Sequence, residues 1–139
     1  MSLILDSSIT LSWLLTEEGA ESTQYILAQV TDRGAWVPSL WRLEISNSLE
    51  MGIRRGRLDE QRRDSMFSNL RALPIQVDSE TEQHAWGATA RLARQYHLTA
   101  YDAAYMELAQ RRGLPLATLD TALLQAARAA GLIVLESKK

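Results

Sequence analysis

Ser2-Leu3-Ile4-Leu5-Asp6-Ser7-Ser8 decides how the rest of this chain is read. Three consecutive apolar, β-compatible residues without alternation predict a strand covered on both faces, as in a parallel sheet. The run stops at a carboxylate followed by two small hydroxyl residues. In open α/β sheets, ligands sit just beyond the carboxyl ends of the strands, and Asp6 stands there. A single aspartate at that place has a plainer explanation as well, as the N-cap of a helix starting near Ser8. The number of acids at equivalent places elsewhere in the chain bears on the choice.

Outward from that strand, the pattern alternates. An apolar run with Trp13 extends from Ile9 to Leu15 and breaks at Thr16-Glu17-Glu18-Gly19, and a second helix is predicted from Ala20 to Asp32, stopped by Gly34. Ala35-Trp36-Val37 reads as a strand closed by Pro38. Ser39 is placed to cap a helix running to Gly52, whose buried stripe is Trp41, Ile45 and Leu49. A further helix is predicted over 59–72, a strand over 74–77 and a long helix over 79–95, with Ala85, Trp86, Ala88, Leu92 and Ala93 as its packing positions. Thr99 to Arg112 is the next helix, ended by Gly113. Leu114 to Thr118 is a fourth strand, Thr121 to Ala130 a helix stopped by Gly131, and Leu132 to Leu135 a last strand before a frayed tail at 136–139. The expectation is one α/β domain over 1–139, with a mainly parallel five-stranded sheet flanked by about seven helices.

Composition narrows the chemistry. With 139 residues, 46% of them hydrophobic and 23% charged, the chain has the make-up of an ordinary soluble domain able to build its own core. It has no cysteine, which excludes disulfides, thiolate zinc sites and cysteine nucleophiles and leaves a cytoplasmic location unopposed. No signal peptide and no membrane-spanning run are read from it. Its two lysines are the last two residues, Lys138 and Lys139. A phosphate-binding, Schiff-base or receiver-type lysine therefore has no candidate within the fold. Only His84 and His97 offer imidazoles, both within predicted helices, with His97 near a helix C-terminus where it suits the dipole. The net charge of −2 gives no global sign of nucleic acid. Between Met51 and Ala72, however, six arginines stand against three acids. That stretch is either a solvated helical hairpin with internal ion pairs, such as Asp59 with Arg62 or Arg63, or a patch facing phosphates.

Four acids recur at one edge. Asp6 follows the first strand, Glu44 lies in the second turn of the helix after the second strand, and Asp120 follows the fourth. These belong to strand-to-helix crossovers, which in a parallel sheet share one end. Asp102 would have to reach that end from a helix start. Each has a plain alternative: Glu44 as a surface glutamate, Asp102 as the partner of Thr99 in a capping box, Asp120 as an N-cap. Four carboxylates in one pocket cannot all ionise without a counter-charge. With no lysine or histidine to supply it, the economical counter-charge is an oxygen-ligated divalent cation, Mg²⁺ or Mn²⁺ rather than zinc. Such a centre suits phosphodiester hydrolysis. Thr118, Ser7 and Asn47 are placed to hydrogen-bond the carboxylates.

The ordered set Leu3 to Ser8, Pro38-Ser39-Leu40 with Glu44-Ile45-Ser46-Asn47-Ser48-Leu49, Tyr101-Asp102-Ala103-Ala104-Tyr105 and Thr118-Leu119-Asp120 resembles the PIN-domain ribonucleases. It is most similar to the VapC-type toxins of bacterial and archaeal toxin–antitoxin pairs, and the similarity covers essentially the whole chain. The resemblance maps the family's acidic residues onto Asp6, Glu44, Asp102 and Asp120, and its hydroxyl residue near the fourth acid onto Thr118. It brings Asp102 to the common edge. It also implies an RNA substrate, a cognate antitoxin and a homodimer. In a mildly acidic chain the affinity for RNA must be local, through the arginine-rich stretch that holds Arg54, Arg55 and Arg57, or through a dimer groove. Two other readings stand beside it: a catalytically silent PIN-like module that binds RNA or a partner, and a receiver-like α/β domain that binds a metal. The missing lysine counts against the receiver, and the presence of all four acids counts against the silent module.

Overall fold

β1 (Leu3–Leu5) is buried on both faces, as a non-alternating apolar run demands, and each of its side chains contributes roughly 1.5–3 kcal/mol by leaving water. Around it the computed structural model, which describes residues 1–16 and 21–135, places β2 (Ala35–Val37), β3 (Ile75–Val77), β4 (Leu116–Ala117) and β5 (Val134–Leu135). All neighbours run parallel, in the order β3-β2-β1-β4-β5. Successive strands step outward from β1 to β3, then the chain returns to the other side of β1 for β4. The topological switch point, where an open α/β sheet opens a crevice at its carboxyl edge, therefore lies between β1 and β4. A receiver has the order 2-1-3-4-5, so the topology removes that alternative.

Seven α-helices cover the sheet among the described residues: α1 (Ser7–Leu15), α2 (Gln24–Arg33), α3 (Trp41–Arg54), α4 (Glu60–Arg71), α5 (Ala88–Tyr96), α6 (Ala100–Arg112) and α7 (Thr121–Ala129). None is long and apolar enough to cross a membrane. The core joins β1 and β2 to Ile9, Ile26, Ile45, Leu49, Tyr105 and Leu108. α6 is the central helix. Its residues 103–109 are all buried, and it ends at Gly113, whose φ of 65° is a left-handed stop that glycine adopts without a Cβ penalty.

Several expectations need correction. The long helix over 79–95 is broken. Thr81 Oγ1 donates to Asp78 and accepts the Ser39 N–H, a short 3₁₀ turn spans Glu82–His84, and α5 begins only after Gly87, whose backbone is not helical. Apolar spacing suggested a packed Trp86, yet that ring is 98% exposed. Ser39 is not a cap either, since Leu40 holds the N-cap position of α3 and the Ser39 amide is tied to Thr81. His97 stands at the C-terminal end of α5 as expected, in the left-handed C-cap position with φ 56°. The strands over 74–77, 114–118 and 132–135 are shorter than expected. The break at 17–19, the helix start at Ala20 and the tail at 136–139 lie outside the described residues.

Candidate active site

Asp6 sits at the N-cap position of α1, but its side chain makes no cap bond. It is buried and turned toward the β1/β4 crevice, where Ser8 Oγ donates to its Oδ2 at 2.6 Å and Thr118 Oγ1 donates to the same oxygen at 2.7 Å. Each hydroxyl is itself oriented by a backbone amide. The Leu119 N–H donates to Ser8 Oγ at 2.9 Å and the Asp120 N–H donates to Thr118 Oγ1 at 3.0 Å. A hydroxyl that accepts an N–H has its single proton left to give, so both protons go to Asp6. Burial still pushes the Asp6 carboxyl above its ordinary range, with the Asp120 charge adding to it and the two hydroxyl bonds opposing.

The other acids come from separate elements. Glu44, in the first turns of α3, lies about 100° around the helix from Ile45, on the flank of the buried stripe. It is half-buried, and Tyr105 Oη donates to its Oε1. Its carboxyl is raised by burial and by the Asp6 and Asp102 charges, with the Tyr105 bond opposing. Asp102 opens α6 and its N–H donates to Thr99 Oγ1 at 3.1 Å. The cap reading is therefore correct for its backbone. Its carboxyl is nonetheless pushed up to about 6, by burial first and then by the charges of Asp120 and Asp6. Asp120 caps α7 by accepting the Leu123 N–H through Oδ1 at 2.9 Å. These mutual effects, Asp6 with Asp120 and Glu44, and Asp102 with Asp120, Asp6 and Glu44, put the four carboxylates within range of one another's charge.

Among the described residues, no arginine or histidine is a partner of these four acids. Among the described residues, no three His, Cys, Asp or Glu side chains are already gathered into a metal-ligand set. That follows from the bonds just described, with Glu44 turned to Tyr105 and Asp120 to its helix, while uncompensated like charges keep apart. The donor set itself fits a hard divalent cation, being all oxygen and short of positive charge.

Of the side chains expected to steady the acids, Thr118 bonds Asp6 and Ser7 reaches both Glu44 and Tyr105. Asn47 does not take part. It stands roughly 160° around α3 from Ile45, is exposed, and lines a separate groove with Leu11, Leu14, Arg55 and Arg57. Sequence reasoning missed two partners, Ser8 and Tyr105. Tyr105 had a visible signal, being one turn after Asp102 on the same helix face. The arginine stretch is divided. Arg54 pairs with Glu50 at 3.0 Å and Arg63 with Asp64 at 3.1 Å, so the helical pairs are not those expected with Asp59, which caps α4 instead. Arg55 and Arg57 make no ion pair among the described residues and face the groove.

Residues 3–129 match the PIN domain family. The chain belongs to that family. Ribonuclease VapC3 of Pyrobaculum aerophilum is 31% identical over 124 residues, covering 86% of this chain and 90% of that protein. Among solved structures, VapBC2 of Rickettsia felis, bound to a DNA fragment from its promoter, superposes with a TM-score of 0.70 at 12% identity, over 99% of this chain and 100% of that one. FitAcB of Neisseria gonorrhoeae gives 0.63 at 19% identity, over 97% and 96%. At those identities the structures establish the PIN fold alone. Within that fold, Asp6 and Asp120 stand at the ends of β1 and β4.

Proposed function

We propose that this PIN domain is an endoribonuclease that depends on Mg²⁺ or Mn²⁺ and serves as the toxin of a toxin–antitoxin pair, working as a homodimer in the cytoplasm. The observation that supports the reading is that Asp6, Glu44, Asp102 and Asp120, from four distant segments, feel one another's charge, with no cation among their partners in the described residues. A fold that buries Asp6 and half-buries Glu44 and Asp102, all at raised pKa, bears an electrostatic cost that makes sense for a cation-binding centre. The relative named Ribonuclease VapC3 supports the RNA substrate and, through the VapC-type resemblance, an antitoxin protein as the partner.

The four acids would hold the cation, and when bound it supplies the positive charge and Lewis acidity that phosphodiester hydrolysis needs. Asp6 offers Oδ1, because Ser8 and Thr118 both occupy Oδ2. Asp120 offers Oδ2, because Oδ1 caps α7. Arg55 and Arg57, free of ion pairs among the described residues, would meet the phosphates of an RNA strand. Arg54 is the weaker candidate because it is paired with Glu50.

Purified protein incubated with total RNA, with and without EDTA, tests the reading. Cleavage is expected with Mg²⁺ or Mn²⁺ only and should be lost in Asp6→Asn. Undiminished cleavage in EDTA would sink the metal dependence, and full cleavage by Asp6→Asn would sink the site. Co-expression with the product of an adjacent small gene should relieve growth arrest, and light scattering of the purified chain reads the dimer.

A further inference from the structure

Tyr105 is among the largest fully buried side chains of the molecule, yet its hydroxyl is spent on a site acid. It lies three residues after Asp102 on α6, so one helix face presents the carboxylate and the phenol to the same crevice. The hydroxyl donates to Glu44 Oε1, joining residues 61 positions apart, and Ser7 reaches both partners. Burial, together with the Asp6 and Glu44 charges, holds the phenol far above its ordinary range, so it stays a neutral donor.

Glu44 needs such a restraint. It has three side-chain torsions, sits on the flank of α3 and is only half-buried. Water offers it alternative rotamers, and the charges of Asp6 and Asp102 repel its carboxylate. Asp6 and Asp120 are shorter and are fixed by hydroxyl and amide bonds. The Tyr105 bond holds Glu44 against that repulsion, with Ser7 beside it. A bond on Oε1 leaves Oε2 to face the other acids.

We infer that Tyr105 is a positioning residue that holds Glu44 in the crevice, ready for a divalent cation. The inference rests on the cation-dependent reading above and deepens it.

The test is a double-mutant cycle on cation binding, with free Mn²⁺ counted by electron paramagnetic resonance. The proteins are the wild type, Tyr105→Phe, Glu44→Gln and the double variant. Phenylalanine keeps the ring and its packing, and the melting temperature in EDTA verifies that each variant is folded. Tyr105→Phe is expected to weaken Mn²⁺ binding about tenfold, the low end for loss of a partner that orients a ligand. In the Glu44→Gln background the same change is expected to do nothing. Wild-type affinity in Tyr105→Phe, or an equal loss in both backgrounds, overturns the inference and leaves the cation-dependent reading standing. If the wild type binds no Mn²⁺, that reading fails instead. Urea unfolding of the four proteins in EDTA then decides the pair: coupling between positions 44 and 105 supports the positioning of Glu44, and additivity overturns it.

Discussion

Thr118 Oγ1 donates to Asp6 Oδ2 at 2.7 Å, joining residues 112 positions apart across the switch point between β1 and β4. The bond exists because β1 and β4 are parallel neighbours in register, with Leu5 opposite Ala117. The residues just beyond each strand therefore face one another. Thr118 also accepts the Asp120 N–H, so one hydroxyl orients one acid and the approach to another.

Thr118→Val keeps the shape and removes both bonds. The buried Asp6 oxygen loses one of two donors and the Asp120 amide loses its acceptor, a combination that should cost about 1–3 kcal/mol. Urea unfolding should register the loss, and RNA cleavage should fall at least tenfold, as expected for loss of a ligand-orienting bond. Thr118→Ser, which restores the hydroxyl, should recover most of both. A valine variant that behaves like wild type beside an impaired serine variant would show that the methyl group, not the hydroxyl, matters.

The sequence carried most of this architecture in its apolar runs. Leu3-Ile4-Leu5 and Ala35-Trp36-Val37 read directly as strands because a doubly covered strand needs no polar alternation. Asp6 and Asp120 were legible as strand-end acids, since a parallel sheet puts every such end on one edge. Two things were not legible. The helix over 79–95 failed because the Asp78–Thr81 turn is set by tertiary bonds, to Ser39 and Arg111 among others, that no local periodicity encodes. Ser8 and Tyr105 escaped notice because a serine after an N-cap and a tyrosine in a buried helix have ordinary structural uses. Only the contacts to Asp6 and Glu44 distinguish them.

Asp78 illustrates the opposite electrostatic regime. Its side chain is fully buried, and it meets Arg111 at 2.7 Å and Arg112 at 3.3 Å, while Arg111 also holds Glu107 at 2.8 Å. Burial alone would push Asp78 up, but the Arg111 bonds, with Thr81 and Arg112, bring it down to about 2. Asp78→Asn takes the carboxylate charge from the partly buried Arg111 and Arg112 and should cost about 1–3 kcal/mol at neutral pH. A depressed folded pKa gives stability that is present above the unfolded value of ~3.9 and lost as pH falls toward 2. The gap between wild type and variant should therefore narrow by about 1 kcal/mol at pH 3. A gap that is constant from pH 7 to pH 3 in urea unfolding would contradict the pairing.

Arg55 and Arg57 test the RNA surface. Both line the groove beside Leu11 and Leu14. If each meets one phosphate of a single strand, replacing both by alanine should lower the slope of log affinity against log salt by about 1.4. Binding is best read in the Asp6→Asn background, where cleavage does not intrude. An unchanged slope would return these arginines to the role of a solvated hairpin.

Asp102 separates a cation site from a helix cap. Its folded pKa of about 6 lies above the unfolded ~3.9. A group raised in this way contributes stability that is fully present below ~4 and lost as pH rises through 6. In EDTA at pH 7.5, Asp102→Asn should therefore melt higher than wild type, by a free energy on the order of 1–3 kcal/mol. The gain should vanish near pH 4, where wild type already holds the proton. The backbone cap from the Asp102 N–H to Thr99 Oγ1 survives the substitution, so loss of the cap does not mask the effect. In millimolar Mg²⁺ the order should reverse, because only the intact cluster gains the linkage energy of a bound ion, about 2.7 kcal/mol at a hundred times the Kd. Thermal melts at the two pH values, with EDTA or Mg²⁺, check all three statements. If Asp102→Asn melts lower than wild type in EDTA at pH 7.5 and does not respond to Mg²⁺, the carboxylate serves only the start of α6, and the remaining three acids must hold the ion without it.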